Sequence, residues 1–199
     1  MLKKTVSGIL AGILVSIGGA VFLSCESRVV GALLFSVALL SICYMGYALF
    51  TGKVGFMTDK HGKEEWQVLI FALLGNLVGA LLSGLALKFA IPSMRDAANT
   101  LCAGKLLQPW YASFIRASFC GMLMYLAVAI FREHKTPIGI LFCIPVFILS
   151  GFEHSIADMF YFFCADQAFL PSALFIAIVV LGNSAGALLL SWLTGYIRK

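Results

Sequence analysis

Three ionisable side chains, Glu153, His154 and Asp158, stand in a stretch that is otherwise oily: residues 142–164 read FCIPVFILSGFEHSIADMFYFFC. An imidazole exchanges protons near neutrality, with an unperturbed pKa of about 6.5. Ionisable groups in an apolar segment are costly and usually face a bundle interior or a pathway. On a regular helix Phe147, seven residues before His154, and Asp158, four after it, share its face. A ring, an imidazole and a carboxylate would then line one stripe, and a carboxylate in reach would favour the charged imidazole. The plainer alternative is a buried histidine satisfied by a backbone carbonyl. Glu153 points roughly 100° away, which suits capping broken backbone or bracing a neighbouring helix.

The elements that must position these groups are membrane spans. Of 199 residues 61% are hydrophobic and 12% charged, where a soluble domain carries roughly 25% charged residues. Mean hydropathy is +1.00. Apolar runs of about 20 residues suit helices and are too long for barrel strands. Six are predicted, over 6–24, 29–51, 66–89, 109–131, 138–163 and 172–196, in a single transmembrane domain over 1–199. The first reads as a span and not a signal peptide, whose apolar region is shorter, about 7–15 residues. With six spans both termini share a side. That side collects Lys3, Lys4, Lys53, Lys60, Lys63, Arg132, Lys135, Arg198 and Lys199, against Arg28, Lys88, Arg95 and Lys105 on the other. The excess of Lys and Arg predicts cytoplasmic termini in a cell membrane. The modest net charge of +5 gives no support to nucleic-acid binding. No Cys/His cluster supports a metal site, and no cofactor motif is present.

An internal repeat organises the spans. LGNLVGALL at 74–82 matches LGNSAGALL at 181–189, with Asn76 and Asn183 in register. GYALF at 46–50 aligns more weakly with GFEHS at 151–155. The halves, about 1–90 and 105–199, hold three spans each, and an odd number inverts the second half in the membrane. Inverted repeats of this kind build channels and transporters, with broken helices beside the site. Gly46, Gly52 and Gly55, with Thr51 and Lys53, interrupt the second span, and Pro145, Gly151 and the Glu–His–Ser run interrupt the fifth. Asn76 and Asn183, each followed by Gly three residues on, serve helix packing or the pore. Arg116 is expected to snorkel toward headgroups.

GFEHSIADMF resembles the signature of the formate/nitrite transporter family. LFTG at 49–52, the two LGNxxG motifs, AGKLLQP at 103–109 and FIRASFCGMLMYLAV at 114–128 are similar to further motifs of that family, in the same order. The resemblance covers nearly the whole chain. It implies an all-α, aquaporin-like membrane protein of six helices with spans 2 and 5 broken, assembled as a homopentamer with one pore per protomer. It implies passage of small monovalent weak-acid anions: formate, nitrite, hydrosulfide, acetate or lactate. Phe35, Leu39, Leu49, Phe50, Met124 and Phe147 fall at the family's apolar constrictions, Thr51, His154 and Asn183 at its polar pore positions, and Lys105 at its basic vestibule position. The chain departs from the pattern at Ala48, Lys53, Gly121 and Asp158.

A bare anion in an apolar constriction carries a large desolvation cost, so the expected mechanism is passage of the neutral acid. Lys105 and the vestibule field draw the anion in, and His154 or vestibule water supplies the proton. The alternative is a neutral-solute channel for water or glycerol, although the NPA motifs of aquaporins are absent. An enzyme is not expected, since no nucleophile–base pair is in sight.

Overall fold

The computed structural model describes residues 2–59 and 61–198. Two of the basic residues counted for topology, Lys60 and Lys199, lie outside the described residues.

Among them are eight α-helices: α1 Leu2–Ser24, α2 Arg28–Met45, α3 Lys63–Ala90, α4 Pro92–Leu106, α5 Trp110–His134, α6 Ile138–Leu149, α7 Ser155–Cys164 and α8 Phe169–Ile197. A 3-10 turn, Val54–Thr58, precedes α3. Five helices, α1, α2, α3, α5 and α8, are long and apolar enough to cross a membrane. The fifth span, expected to be broken, is two short helices, α6 and α7, separated by non-helical residues 150–154. The predicted second span stops being helical at Met45.

Both interruptions have the same local cause. α2 ends at Gly46 and α6 is followed by Gly151, each with φ of 71°. This left-handed conformation carries no steric penalty in glycine. In both cases an amide one residue beyond the glycine reaches back five residues: Tyr47 N–H donates to Ile42 O at 3.0 Å, and Phe152 N–H to Phe147 O at 2.9 Å. This is the glycine-terminated helix end in which the reversed chain satisfies the last carbonyls.

Packing repeats as well. α1 lies chiefly on α3, and α5 on α8. A Cβ on Gly12 would stand 2.4 Å from the carbonyl oxygen of Asn76, and one on Gly121 would stand 2.0 Å from that of Asn183. Only hydrogen at those two positions lets the backbones come this close, the small-residue approach that replaces hydrophobic drive between helices in lipid. α4 belongs to neither set: it connects the halves and packs on α7 and α3.

Candidate functional site

Each repeat asparagine is fully buried and spends its amide on backbone. Asn76 Oδ1 accepts from Phe50 N–H at 2.9 Å, and its Nδ2 donates to Ala48 O at 2.9 Å and Gly8 O at 2.8 Å. Asn183 Oδ1 accepts from Ser155 N–H at 2.9 Å, and its Nδ2 donates to Glu153 O and Ala117 O, both at 2.8 Å. Each side chain therefore clamps a three-residue stretch at a helix break to a neighbouring helix. Both amide hydrogens and the carbonyl are used. Unpaired peptide groups at such depth would cost several kcal/mol each, roughly, and the clamp removes that cost. The clamped stretches are 48–50 and 153–155, so Leu49 in one half sits where His154 sits in the other.

His154 is held on three sides. Its Nδ1 accepts from Ala157 N–H at 3.2 Å, capping α7. Its Nε2 lies 2.8 Å from Thr51 Oγ1. Phe147 stacks on it, with ring centroids 5.6 Å apart and planes inclined by 24°. An Nδ1 that accepts leaves Nε2 to carry the hydrogen in the neutral ring, so Nε2 donates to Thr51. Phe147 thus lies beside His154 because the chain reverses at Gly151, not through a regular helical stripe.

Asp158 does not join that stripe. The chain becomes helical only at Ser155, and the Asp158 amide closes the first turn on His154 O at 2.9 Å. Its carboxylate Oδ1 meets Lys105 Nζ at 2.9 Å. Lys105 Nζ also donates to Glu153 Oε2, and Gln108 Nε2 donates to Glu153 Oε1 at 3.1 Å. Glu153 and Asp158 are 3% and 1% exposed at the side chain, and Lys105 11%. Lys105 lies on α4, outside the long apolar helices. Burial alone would pull its ammonium down, but Asp158 and Glu153 more than offset this and hold it well above the ordinary lysine range. One cation thus faces two carboxylates, so Lys105 is not a free positive charge.

Two cavities approach this centre from opposite ends. One, of about 630 Å³, is walled by Leu39, Leu49, Lys53 and Arg132 among others. The second, of about 400 Å³, is walled by Phe35, Phe147, His154, Lys105 and Asp158, with Arg28 and Arg116 at its side. They share no wall residue. Phe35 and Phe147 meet edge to face at 6.2 Å on one side of the barrier. Phe50, Thr51 and Met124 lie buried between and line neither cavity, and neither does Asn183. Arg116, an exposed side chain, borders the second cavity.

Several contributors were not singled out from sequence. Ser7 Oγ accepts from Ala48 N–H at 2.9 Å, completing the first clamp. Gln108 supports Glu153, and Arg28 Nη2 reaches Ile148 O at 3.5 Å. Gln108 sits within the AGKLLQP motif, so its signal was present, whereas Ser7 is one small residue among many in α1 and carries none.

No group of three or more His, Cys, Asp or Glu side chains suited to a metal ion occurs among the described residues. The six cysteines are free thiols.

Comparison with known proteins agrees with this architecture. The Escherichia coli K12 nitrite transporter NirC is 31% identical over 139 residues, 63% of this chain and 52% of that protein. The chain thus spans about half the length of that relative. The E. coli K12 formate channel FocA is 30% identical over 186 residues, 80% of this chain and 65% of FocA. A Bacillus subtilis transporter, YwcJ, is 32% identical over 184 residues, 81% of this chain and 72% of that protein. Among solved structures, a chain described as an FNT family ion channel superposes with a TM-score of 0.89 at 24% identity, covering 100% of this chain and 90% of that one. A pentameric formate channel with formate bound gives a TM-score of 0.81 at 21% identity, covering 99% and 96%. At those identities the superpositions establish the shared fold. The model of the formate/nitrite transporter family matches residues 1–197, and the chain belongs to that family.

Proposed function

We propose that this protein is a membrane channel or transporter for small monovalent weak-acid anions such as formate and nitrite. The permeant crosses the apolar barrier as the neutral acid beside His154. The observation that carries this reading is the pair of cavities stopped by Phe35, Phe147, Leu39 and Leu49, with a single imidazole at the boundary. A naked monovalent ion has nothing in that barrier to replace its hydration, and its transfer would cost far more than that of a small neutral acid. The Thr51–His154 hydrogen bond is the polar link across the barrier. The proton comes from water in the vestibules or from the ring, which must release the Ala157 amide to take up a second one.

The excess of Lys and Arg in the sequence segments on the side of Lys53 supports cytoplasmic termini in an inner-membrane protein. Exposed apolar side chains such as Leu33, Val37, Phe142 and Leu189 need lipid or further copies to cover them. The formate-bound pentameric relative supports a homopentamer, each copy a single transmembrane domain.

Proteoliposome flux of formate, nitrite, hydrosulfide, acetate and glycerol at pH 5.5 and 7.5 tests the reading. Acid-stimulated uptake of the weak acids without glycerol uptake is expected. Glycerol uptake independent of pH would replace the anion reading with a neutral-solute pore. The variant His154→Phe is expected to change the pH profile of formate flux, and an unaltered profile would leave His154 a packing residue.

A further inference from the structure

The charges at the smaller cavity do not balance. Lys105 Nζ carries one charge and faces two carboxylates, Glu153 Oε2 and Asp158 Oδ1, the latter at 2.9 Å. The two acids are not served alike. Glu153 also accepts from Gln108 Nε2, so both its oxygens are occupied. Asp158 Oδ2 is buried and has no hydrogen-bond partner among the described residues. The Asp158 side chain nevertheless forms part of the cavity wall, together with His154. No second buried cation stands on that wall. Arg28 and Arg116 border the cavity, but both are exposed and neither forms an ion pair among the described residues. Arg28 reaches the Ile148 carbonyl instead. The helices α1, α3 and α8 also pack against α7, yet bring no charged group to the wall. Cys102, Cys120 and Tyr161 lie near enough to feel the Asp158 charge, but a thiol or a phenol is never positive.

We infer that Asp158 holds a proton on Oδ2 at neutral pH and passes it to the permeant anion in the smaller cavity. An ionised oxygen without a partner in a dry pocket costs far more than a hydroxyl there, and two carboxylates that share a site resist ionising together. Lys105 then balances Glu153 alone. His154 is less free to act as donor: its Nε2 hydrogen is committed to Thr51, and its Nδ1 accepts from the Ala157 amide. In the transfer the Oδ2–H bond breaks and the proton joins a carboxylate oxygen of formate. Formic acid enters the barrier, and Asp158 is left as a carboxylate beside Lys105 until vestibule water reprotonates it. The inference rests on the transport reading above and names its proton donor.

Asparagine has the shape of a protonated aspartate but no proton to give, so Asp158→Asn removes the donor without changing the charge. Radiolabelled formate flux into proteoliposomes, with the same pH on both faces, is the first readout. Between pH 5.5 and 7.5 the free neutral acid falls about a hundredfold, because formic acid is ionised at both values. Wild-type flux is expected to fall less than about tenfold over that range, since a positioned donor spares the permeant its search for a proton. Asp158→Asn is expected to follow the full fall of about a hundredfold. Asp158→Glu, which keeps a carboxyl, is expected to restore the shallow profile in part. The second readout needs no variant to fold. Infrared spectra of the wild type at pH 7.5 are expected to show the carbonyl stretch of a protonated carboxyl, displaced by carbon-13 labelling of aspartate. No such band overturns the inference. So does wild-type flux as steep in pH as Asp158→Asn, or faster flux in Asp158→Asn at both pH values, as loss of a negative charge would give. A wild-type protein that moves none of the five solutes overturns the transport reading, and the infrared band still decides whether Asp158 holds its proton.

Discussion

The chain solves one structural problem twice and then uses the two solutions differently. In each half a glycine at φ of 71° stops a helix. Three residues later an extended stretch is clamped by an asparagine that bonds the amide and carbonyl on either side of the central residue. The backbones correspond bond for bond. The central side chains do not: Leu49 offers only surface, whereas His154 has one nitrogen capping a helix and another on Thr51. The chain beyond each clamp differs too. After Leu49 comes a short 3-10 turn with the unmatched Lys53, and after His154 comes α7 with Asp158 matched to Lys105. A duplicated scaffold thus fixes where polar chain enters the barrier, and the residues it presents decide what that entry does.

The strongest way to break this comparison is to remove the charge matching that only the second half has. Lys105→Met leaves Glu153 and Asp158 buried without their cation, and loss of one partner of a buried pair costs about 3–5 kcal/mol. The expected outcome is a large loss of thermal stability in detergent, recovered in part by adding Glu153→Gln and Asp158→Asn. Lys53→Met in the first half should shift the melting temperature little. A similar loss from both lysines would mean that Lys53 has a partner after all.

Next in size are the clamps. Asn76→Ala and Asn183→Ala each abandon one amide and two carbonyls in a dry site, with a cost of about 3 kcal/mol if each orphaned group costs about 1. The two variants should lose similar stability, because each clamp makes the same three bonds. Unequal losses measured by thermal unfolding would show that one half carries more of the fold. Gly121→Ala and Gly12→Ala press on the same clamps from behind, and overpacking at a tight crossing costs about 1–3 kcal/mol. Gly121→Ala is expected to be the worse, since its Cβ would stand closer to the asparagine carbonyl.

Much of this scaffold was legible in the residues. The LGNxxG repeat marked the two matching asparagines, though not their task, and the paired glycines marked both helix ends, because a duplicated backbone needs the same rare residue types at the same places. Two things were not legible. The partner of Asp158 depended on where α7 begins: counted along an uninterrupted helix Asp158 falls under His154, but the non-helical residues before Ser155 break that count and Lys105 comes from another helix altogether. The role of Asn183 was also hidden, since an asparagine in a pore wall and one that clamps backbone read alike in sequence. Only the three bonds that use up its amide distinguish them.

A smaller effect sharpens the comparison at the molecule's edges. The turn between α7 and α8 is tied down by Asp166: Lys88 pairs with its carboxylate at 2.5 Å, and its own amide donates to Asn99 Oδ1 at 2.7 Å. The Lys88 hydrogen bond, aided by Asn99 and the nearby Arg95, holds the Asp166 carboxyl below its ordinary value of 3.8 even though the group is exposed. A carboxyl lowered in the folded state adds stability that is fully present above its unfolded pKa. That contribution fades as pH falls below about 3.8 and is gone once the folded pKa is passed. In the turn before α3 the Asp59 carboxylate accepts a hydrogen bond from its neighbour Thr58 at 3.4 Å, and no ion pair to it occurs among the described residues. Limited proteolysis between pH 3 and 5 should therefore loosen the 165–168 turn as acid is added. Lys88→Gln should move that onset upward by roughly a few tenths of a pH unit, the small effect expected of an exposed, solvent-screened pair. If the onset stays put in the variant, the turn is held by Asn99 and the backbone, and the charge on Lys88 adds nothing to it.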